Sequence, residues 1–388
     1  MNRSRLTEEL SSAGALNGEI VVAERYTHPD RGPVDCPAAP LLVAWLQGRG
    51  VSARLGCFDR LDRLSASGGR APTVVASTSY LDPAGRAAGQ VVGLAVAAGR
   101  DDAEVATAAV STWSAVLRTR RVILPFPTRC APSGRPREAA AARTVPGTRR
   151  GPAVDDVRPE AAAGCVEPDC PGESSAWGAV REYQGRGDTV LMLGRRAGRE
   201  ATLRTPGGVD AARCLPVRTL EDAGEELRAE AERLSFVVRP CAPIEEVTPL
   251  LRELRDRFPL LRGQHPDDWC YAASDRRNSL RLAAEASDLV LVLGNPLDLD
   301  PGALGRTERR HLSTLADLAP QDLMNAGTIT LADSGTDTES GTGTLPDVTV
   351  ADLIGVLGGL GPLSVVRHRV RTESGIEARA PRAAMEPA

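Results

Sequence analysis

The chain contains no lysine. All 47 of its basic side chains are arginine, so any anion site has to be built from guanidinium groups, which grip phosphate or carboxylate through paired hydrogen bonds. With alanine, glycine and proline abundant, the missing lysine reads as compositional bias. Aromatic residues make up 3% of the chain, so its cores must be filled by valine, leucine and alanine. No apolar run approaches the roughly 18 residues that a membrane-spanning helix needs. The N-terminus, MNRSRLTEELSSAGALNGE, is polar and lacks a signal-peptide core. The expectation is a cytoplasmic protein without a membrane partner. A net charge of -4 leaves no electrostatic footprint for nucleic acid. The four histidines (28, 265, 311 and 368) are scattered and outline no histidine-rich site.

What is present is length and cysteine. At 388 residues the chain can bury two to four α/β lobes. In a reducing compartment, its eight cysteines (36, 57, 130, 165, 170, 214, 241 and 270) read as thiols or metal ligands more than as disulfides.

Residues 19–120 read as a small α/β module. EIVVAERY and TVVASTSYL are β-rich, and AAPLLVAWLQGRG is a helix ending on a glycine cap signal at Gly48 or Gly50. DDAEVATAAVSTWSAVLRTRR is a second helix, with acids at its start and arginines at its end as the macrodipole favours. The turn Tyr26-Thr27-His28-Pro29 and the pair Cys36-Pro37 read as turn punctuation. A strand opens at Arg121 (RVILPFP), followed by a linker over 131–168 rich in Ala, Arg, Pro and Gly. Helical spacing returns in SSAWGAVREYQGRG, with Trp177, Val180 and Tyr183 near one face. The strand DTVLMLG follows, then an arginine-rich turn, Arg195-Arg196-Ala197-Gly198-Arg199-Glu200. Next come a helix at about 220–233, the strand SFVVRP and a helix carrying Ile244, Val247, Leu250, Leu251 and Leu254. The segment PDDWCYAASDRRNSLRLAAEASDLVLVLGNP then places Cys270 ahead of a helix and a buried strand. Residues 297–327 read as polar helix, GTITLADSG as a strand, and VTVADLIGVLGGLG as a last helix. Strands alternating with helices predict parallel sheets.

Cys130, Cys170 and Cys270 each lie at a loop–helix boundary, in three different lobes. Thiolates near helix N-termini are stabilised by the dipole and make good soft-metal ligands. Three lobes giving one cysteine each could hold an iron–sulfur cluster with one iron left without a protein ligand. A zinc site built from Cys165-x4-Cys170 and two further ligands is a rival from spacing alone.

From about residue 120 onward the chain resembles the IspH/LytB family of 4-hydroxy-3-methylbut-2-enyl diphosphate reductases. The resemblance is strongest in Asp267-Asp268-Trp269-Cys270-Tyr271-Ala272, Asp275-Arg276-Arg277 and Ala286-Ser287-Asp288-Leu289-Val290-Leu291-Val292-Leu293-Gly294. These stand against the family's D-D-I-C-Y-A-T-x-x-R-Q run and V-D-L-V-I-V-V-G strand. RVILPFPTRCAPSGRPREAAAA resembles its opening strand and cysteine turn, and Glu167-Pro168-Asp169-Cys170-Pro171 resembles D-A-T-C-P. The resemblance implies a three-lobed α/β trefoil of small parallel sheets, with residues 1–119 as an N-terminal α/β extension and 120–388 as the family region. Within that region 120–215 would hold a truncated first lobe, the linker and the second-cysteine segment; 216–300 the third-cysteine lobe; and 301–388 the C-terminal lobe.

The resemblance further implies a 4Fe-4S cluster on Cys130, Cys170 and Cys270, and an electron donor such as ferredoxin or flavodoxin. The implied reaction is the reductive dehydroxylation of an allylic diphosphate. Departures concentrate at the substrate positions. The family's G-H-x-G-H-x-E turn is here Gly194 to Glu200, with arginines at both histidine positions; Glu200 would match the proton-relay glutamate. Arg195, Arg196 and Arg199 read as a substitute diphosphate clamp or as a solvated turn. The T-Q-T-T turn is Arg239-Pro240-Cys241-Ala242, and the stretch carrying two further histidine motifs is missing. A non-catalytic relative that keeps the fold, or a zinc-stapled structural protein, is the alternative.

Overall fold

The computed structural model describes residues 5–12, 16, 18–59, 61–63, 73–82, 90–125, 171–195, 207–222, 233–294, 304–333, 348–368 and 370. They form two compact units. One is built from described residues of 1–125 and 280–368, the other from those of 163–279.

The first unit opens with seven strands: β1 (Leu6–Ser12), β2 (Ile20–His28), β3 (Gly32–Asp35), β4 (Ala53–Phe58), β5 (Asp62–Arg63), β6 (Thr73–Asp82) and β7 (Gln90–Gly99). They make one sheet in the order β4-β2-β3-β7-β6-β1-β5. The expected parallel arrangement fails here. β1, β7 and β6 pair antiparallel, as do β2 with β7 and β2 with β3; only β2–β4 and β3–β7 are parallel. The strand that decides this is β7, QVVGLAVAAG. Its glycine and alanine content carries weak β signal, yet Val92 and Leu94 to Ala98 are buried against β6.

Helix α1 (Ala39–Gln47) has Pro40 in its first turn, where a missing N–H costs nothing, and ends on Gly48. Helix α2 (Ala103–Ala115) buries Ala106, Ala109, Val110 and Trp113 at helical spacing, with Trp113 edge-on to Trp45 at 6.1 Å. The arginines expected to finish this helix do not: α2 stops at Ala115, and Arg120 begins β8 (Arg120–Pro125).

The second unit contains α3 (Pro171–Gly185), β9 (Thr189–Leu193), β10 (Cys214–Val217), β11 (Leu234–Val238), α4 (Ile244–Arg257) and β12 (Arg262–Gly263). Its four strands are all parallel, in the order β10-β9-β11-β12. Both faces are covered, so β9 and β11 are buried at every position, and their period of two divides the apolar side chains between two cores. Val190, Met192 and Val237 pack with Trp177 and Val180 of α3. Leu191, Leu193, Phe236 and Val238 pack with Val247, Leu251 and Leu254 of α4.

Beyond it run α5 (Ala272–Glu285), β13 (Leu289–Leu293), β14 (Glu308–Leu312), α6 (Pro320–Leu323), β15 (Thr328–Asp333), α7 (Val350–Gly359) and β16 (Leu363–His368). A second sheet of the first unit, β14-β13-β15-β8-β16, is all parallel, as the strand–helix alternation predicts. Within 297–327 the expected helix is corrected to an edge strand. Glu308, Arg309, Arg310 and His311 are exposed on β14, and a charged edge strand has the composition of a solvated helix face. Asp288 sets the register of β13 against β15, accepting from Gly327 N (2.9 Å) and Thr328 N (2.8 Å). One core takes in Leu41, Leu42 and Trp113 together with Leu291, Leu331, Leu353 and Leu357, so residues from both ends of the chain fill it.

Candidate metal and substrate site

Because β9, β10, β11 and β12 are parallel, their carboxyl ends lie along one edge, where open α/β sheets take their ligands. Four turns leave this edge, and two of them carry residues named from the sequence as candidate ligand or substrate contacts.

The turn after β9 starts at Gly194, whose φ of +95° lies in the region glycine favours. A Cβ there would stand 2.8 Å from Ala242 Cβ and 2.9 Å from Val247 Cγ2, so this turn rests directly on the one joining β11 to α4. Arg195 follows and is exposed. The β11–α4 turn is Arg239-Pro240-Cys241-Ala242. Arg239 N donates to Leu193 O (2.9 Å) and Ala242 N to Arg239 O (3.1 Å). Cys241 is buried at φ +59°, a left-handed conformation that a non-glycine residue adopts at a cost of about 1 kcal/mol.

Cys270 leaves the same edge through β12. Buried Gln264 accepts from Val238 N (3.0 Å) and ties the end of β12 to β11. A single 3₁₀ turn, Pro266–Asp268, follows, and Tyr271 Oη donates to Pro266 O (3.1 Å), closing the connector on itself. Trp269 is buried with its ring edge-on to Phe236 at 6.5 Å. Asp275 N donates to Tyr271 O (2.8 Å), which starts α5. Cys270 is thus held half-buried between a packed tryptophan and the first turn of a helix.

The close approach of β12 to Phe236 depends on Gly263. A Cβ there would fall 2.3–2.6 Å from Phe236 ring atoms. Gly263→Ala is expected to destabilise the second unit by about 2 kcal/mol and to disturb the Trp269 packing. The denaturant midpoint followed by tryptophan emission checks this; an unchanged midpoint would refute it.

The first turns of α4 and α5 are tied together. Pro243 precedes α4 and offers no side-chain cap. Ser274 of α5, fully buried, supplies it instead: its Oγ accepts from Ile244 N (2.8 Å) and donates to Glu245 Oε2 (2.7 Å). Asn278 Nδ2 donates to Glu245 Oε1 (3.1 Å) and Arg277 to Glu246 (3.0 Å). Neither Ser274 nor Gln264 carries a local sequence signal, because each acts on a strand or helix distant along the chain.

Of the residues singled out in the sequence, Cys270 and Arg195 lie at this edge. Cys130, Cys170, Arg196, Arg199, Glu200 and Cys165 fall outside the described residues. Among the described residues no group of three or more His, Cys, Asp or Glu side chains is placed to hold a metal ion. The thiols elsewhere differ in kind: burial pushes Cys36 and Cys214 up from the ordinary thiol range, which keeps them protonated. His28 accepts from Asp30 N (3.0 Å) and Arg31 N (3.2 Å) through Nδ1 and closes the β2–β3 turn.

The family model described as LytB protein matches residues 152–298. That stretch holds Cys170, Cys270 and the strand edge just described. Over residues 152–298 the chain is similar to the LytB family. A 4-hydroxy-3-methylbut-2-enyl diphosphate reductase of Ruegeria sp. (strain TM1040) is 29% identical over 131 residues, 34% of this chain and 41% of that protein. One from Cereibacter sphaeroides (strain ATCC 17029 / ATH 2.4.9) is 31% identical over 132 residues, with the same shares. The chain therefore spans about two fifths of the length of these LytB relatives. Among solved structures, the E-1-hydroxy-2-methyl-but-2-enyl-4-diphosphate reductase of Plasmodium falciparum aligns with a TM-score of 0.37 at 16% identity, over 54% of this chain and 65% of that one. The LytB match includes Cys165, Cys241 and the Arg195–Glu200 turn and excludes Cys130. No helix among the described residues is long and apolar enough to cross a membrane.

Proposed function

We propose that this chain is an iron–sulfur protein of the LytB type that reductively dehydroxylates an allylic diphosphate in isoprenoid synthesis. The observation that carries the reading is the LytB match over 152–298, with its third-cysteine segment folded at the carboxyl edge of a parallel sheet. Cys270 suits a soft-metal ligand: a half-buried thiol on a connector fixed at both ends. Cys130 and Cys170 would complete the set, with the lobes arranged as the trefoil. A 4Fe-4S cluster supplies, when bound, electron delivery and an open iron for the substrate hydroxyl. Two electrons, from a ferredoxin or flavodoxin, and two protons then replace the C–O bond by C–H and release water. The residues of this chain hold and protonate: Arg195, with Arg196 and Arg199, grips the diphosphate, and Glu200 passes a proton. The setting is cytoplasmic.

One observation favours a second reading, a non-catalytic relative that keeps the fold. Arg195 stands exposed on the turn where the family has histidine. Arginine binds diphosphate but does not exchange a proton near neutral pH.

Anaerobic purification followed by iron, sulfide and zinc analysis tests the proposal. About four irons per chain are expected, lost in Cys270→Ser. Colourless, iron-free protein would overturn it, and stoichiometric zinc would establish the zinc-stapled alternative. With iron present, turnover of 4-hydroxy-3-methylbut-2-enyl diphosphate with an artificial electron donor supports the reductase. An intact cluster without turnover establishes the non-catalytic relative.

A further inference from the structure

We propose that Ser274 is a positioning residue for the Cys270 thiol, acting through the helix that follows it. This rests on the reading of Cys270 as a metal ligand and adds what fixes its place. The connector bearing Cys270 is held from two sides. On its N-terminal side Trp269 packs against Phe236, and Tyr271 Oη closes onto Pro266 O. On its C-terminal side the chain runs into α5, whose first turn begins with the bond from Asp275 N to Tyr271 O. That turn is anchored to α4 by Ser274.

The anchoring is two-way. Ile244 N is an orphan donor at the start of α4, and Pro243 ahead of it has no side chain able to accept. Ser274 Oγ accepts from it across a separation of 30 residues, and its own proton goes to Glu245 Oε2 at 2.7 Å. One fully buried hydroxyl is thus the N-cap of a neighbouring helix and a donor to that helix's first carboxylate. Glu245 is held in turn by Asn278, one helical turn beyond Ser274 on α5. Removing the hydroxyl leaves Ile244 N without its acceptor and Glu245 without its buried donor, which loosens the first turn of α5 against α4 while Asn278 and Arg277 keep their bonds. The thiol four residues upstream then samples more positions.

The test uses the full chain, metal-free and reduced, with iodoacetamide as the probe and peptide mapping of every cysteine. In Ser274→Ala, alkylation of Cys270 is expected to quicken about fivefold, the change in local opening that loss of one helix cap produces. The rate at Cys57, exposed in the other unit, should not move. Ser274→Thr, which keeps the hydroxyl, should restore the wild-type rate at Cys270. Equal acceleration at both cysteines, no acceleration at Cys270, or failure of threonine to rescue would each overturn the proposal. If Ser274→Ala does not fold, Glu245→Gln, which weakens the same bond and leaves α4 its backbone, must give the selective change instead. Iron analysis of the wild-type protein stands apart from these rates. Its failure would sink the metal reading while leaving the positioning result to be judged alone.

Discussion

Gly361→Ala is expected to cost about 4 kcal/mol, enough to unfold the first unit at moderate denaturant. Gly361 follows α7 at φ +136°, a conformation that side chains rarely adopt. A Cβ there would lie 2.1 Å from Arg118 O and 2.7 Å from Arg118 C. Both are backbone atoms, so no rotamer change relieves the overlap. The neighbouring bonds, Arg118 N to Leu360 O (3.2 Å) and Arg120 N to Pro362 O (2.9 Å), hold the two segments at that distance. Gly358→Ala is the matched control. It lies inside α7 with nothing within 4 Å of its would-be Cβ, so alanine should stabilise by up to about 1 kcal/mol through helix propensity. Urea unfolding of both variants measures the contrast, and similar midpoints would contradict it.

Arg120→Met is expected to cost about 3 kcal/mol. Arg120 is 2% exposed and no carboxylate pairs with it among the described residues. Its guanidinium meets helix ends instead. It donates to Val116 O at the end of α2 (2.5 Å), Leu323 O at the end of α6 (3.2 Å) and Leu360 O at the end of α7 (3.1 Å). Helix C-termini present unpaired carbonyls and the negative pole of the macrodipole, so three together solvate a cation as water would. Burial pulls Arg120 down to about 10, which leaves it charged at neutral pH. Methionine fills the volume but strands the carbonyls. Arg118→Met is the comparison. Arg118 is exposed and, among the described residues, its side chain donates to Met324 O (2.7 Å), and its loss should cost about 1 kcal/mol or less. Equal costs for the two variants, in urea curves, would show that the helix ends do not depend on Arg120.

Local patterns foretell the parts of the chain in which one segment suffices to determine its own state. The run Ile244, Val247, Leu250, Leu251, Leu254 marks α4, and all five are buried. Thr349 and Asp352 form the capping box that opens α7. β9, β11 and β13 are five-residue strands buried at every position, β13 wholly apolar and the other two apolar but for Thr189 and Ser235. Two elements escaped the sequence for physical reasons. β7 is rich in alanine and glycine, carries little β signal of its own, and is a strand through its pairing with β6, β2 and β3. β14 is charged because it lies at an edge, and a charged pentapeptide has no period of its own.

The candidate site divides the same way. The run around Cys270 was legible in the sequence, and so was its place between a short connector and a helix. The partners that hold it were not: Ser274 capping α4, Gln264 binding β11, and Gly263 making room for Phe236 are all relations between segments. Sequence by itself determined the helices with caps and period, the fully buried strands, the cysteine ahead of α5 and the kinship of the region around it. Only the tertiary structure decided the mixed, largely antiparallel sheet of the N-terminal residues, the single core shared by both ends of the chain, and the burial of Arg120. The reason is the range of the forces. Capping and periodicity act within a few residues, whereas strand pairing, close backbone approach and the solvation of a buried charge depend on groups that meet only when the chain has folded.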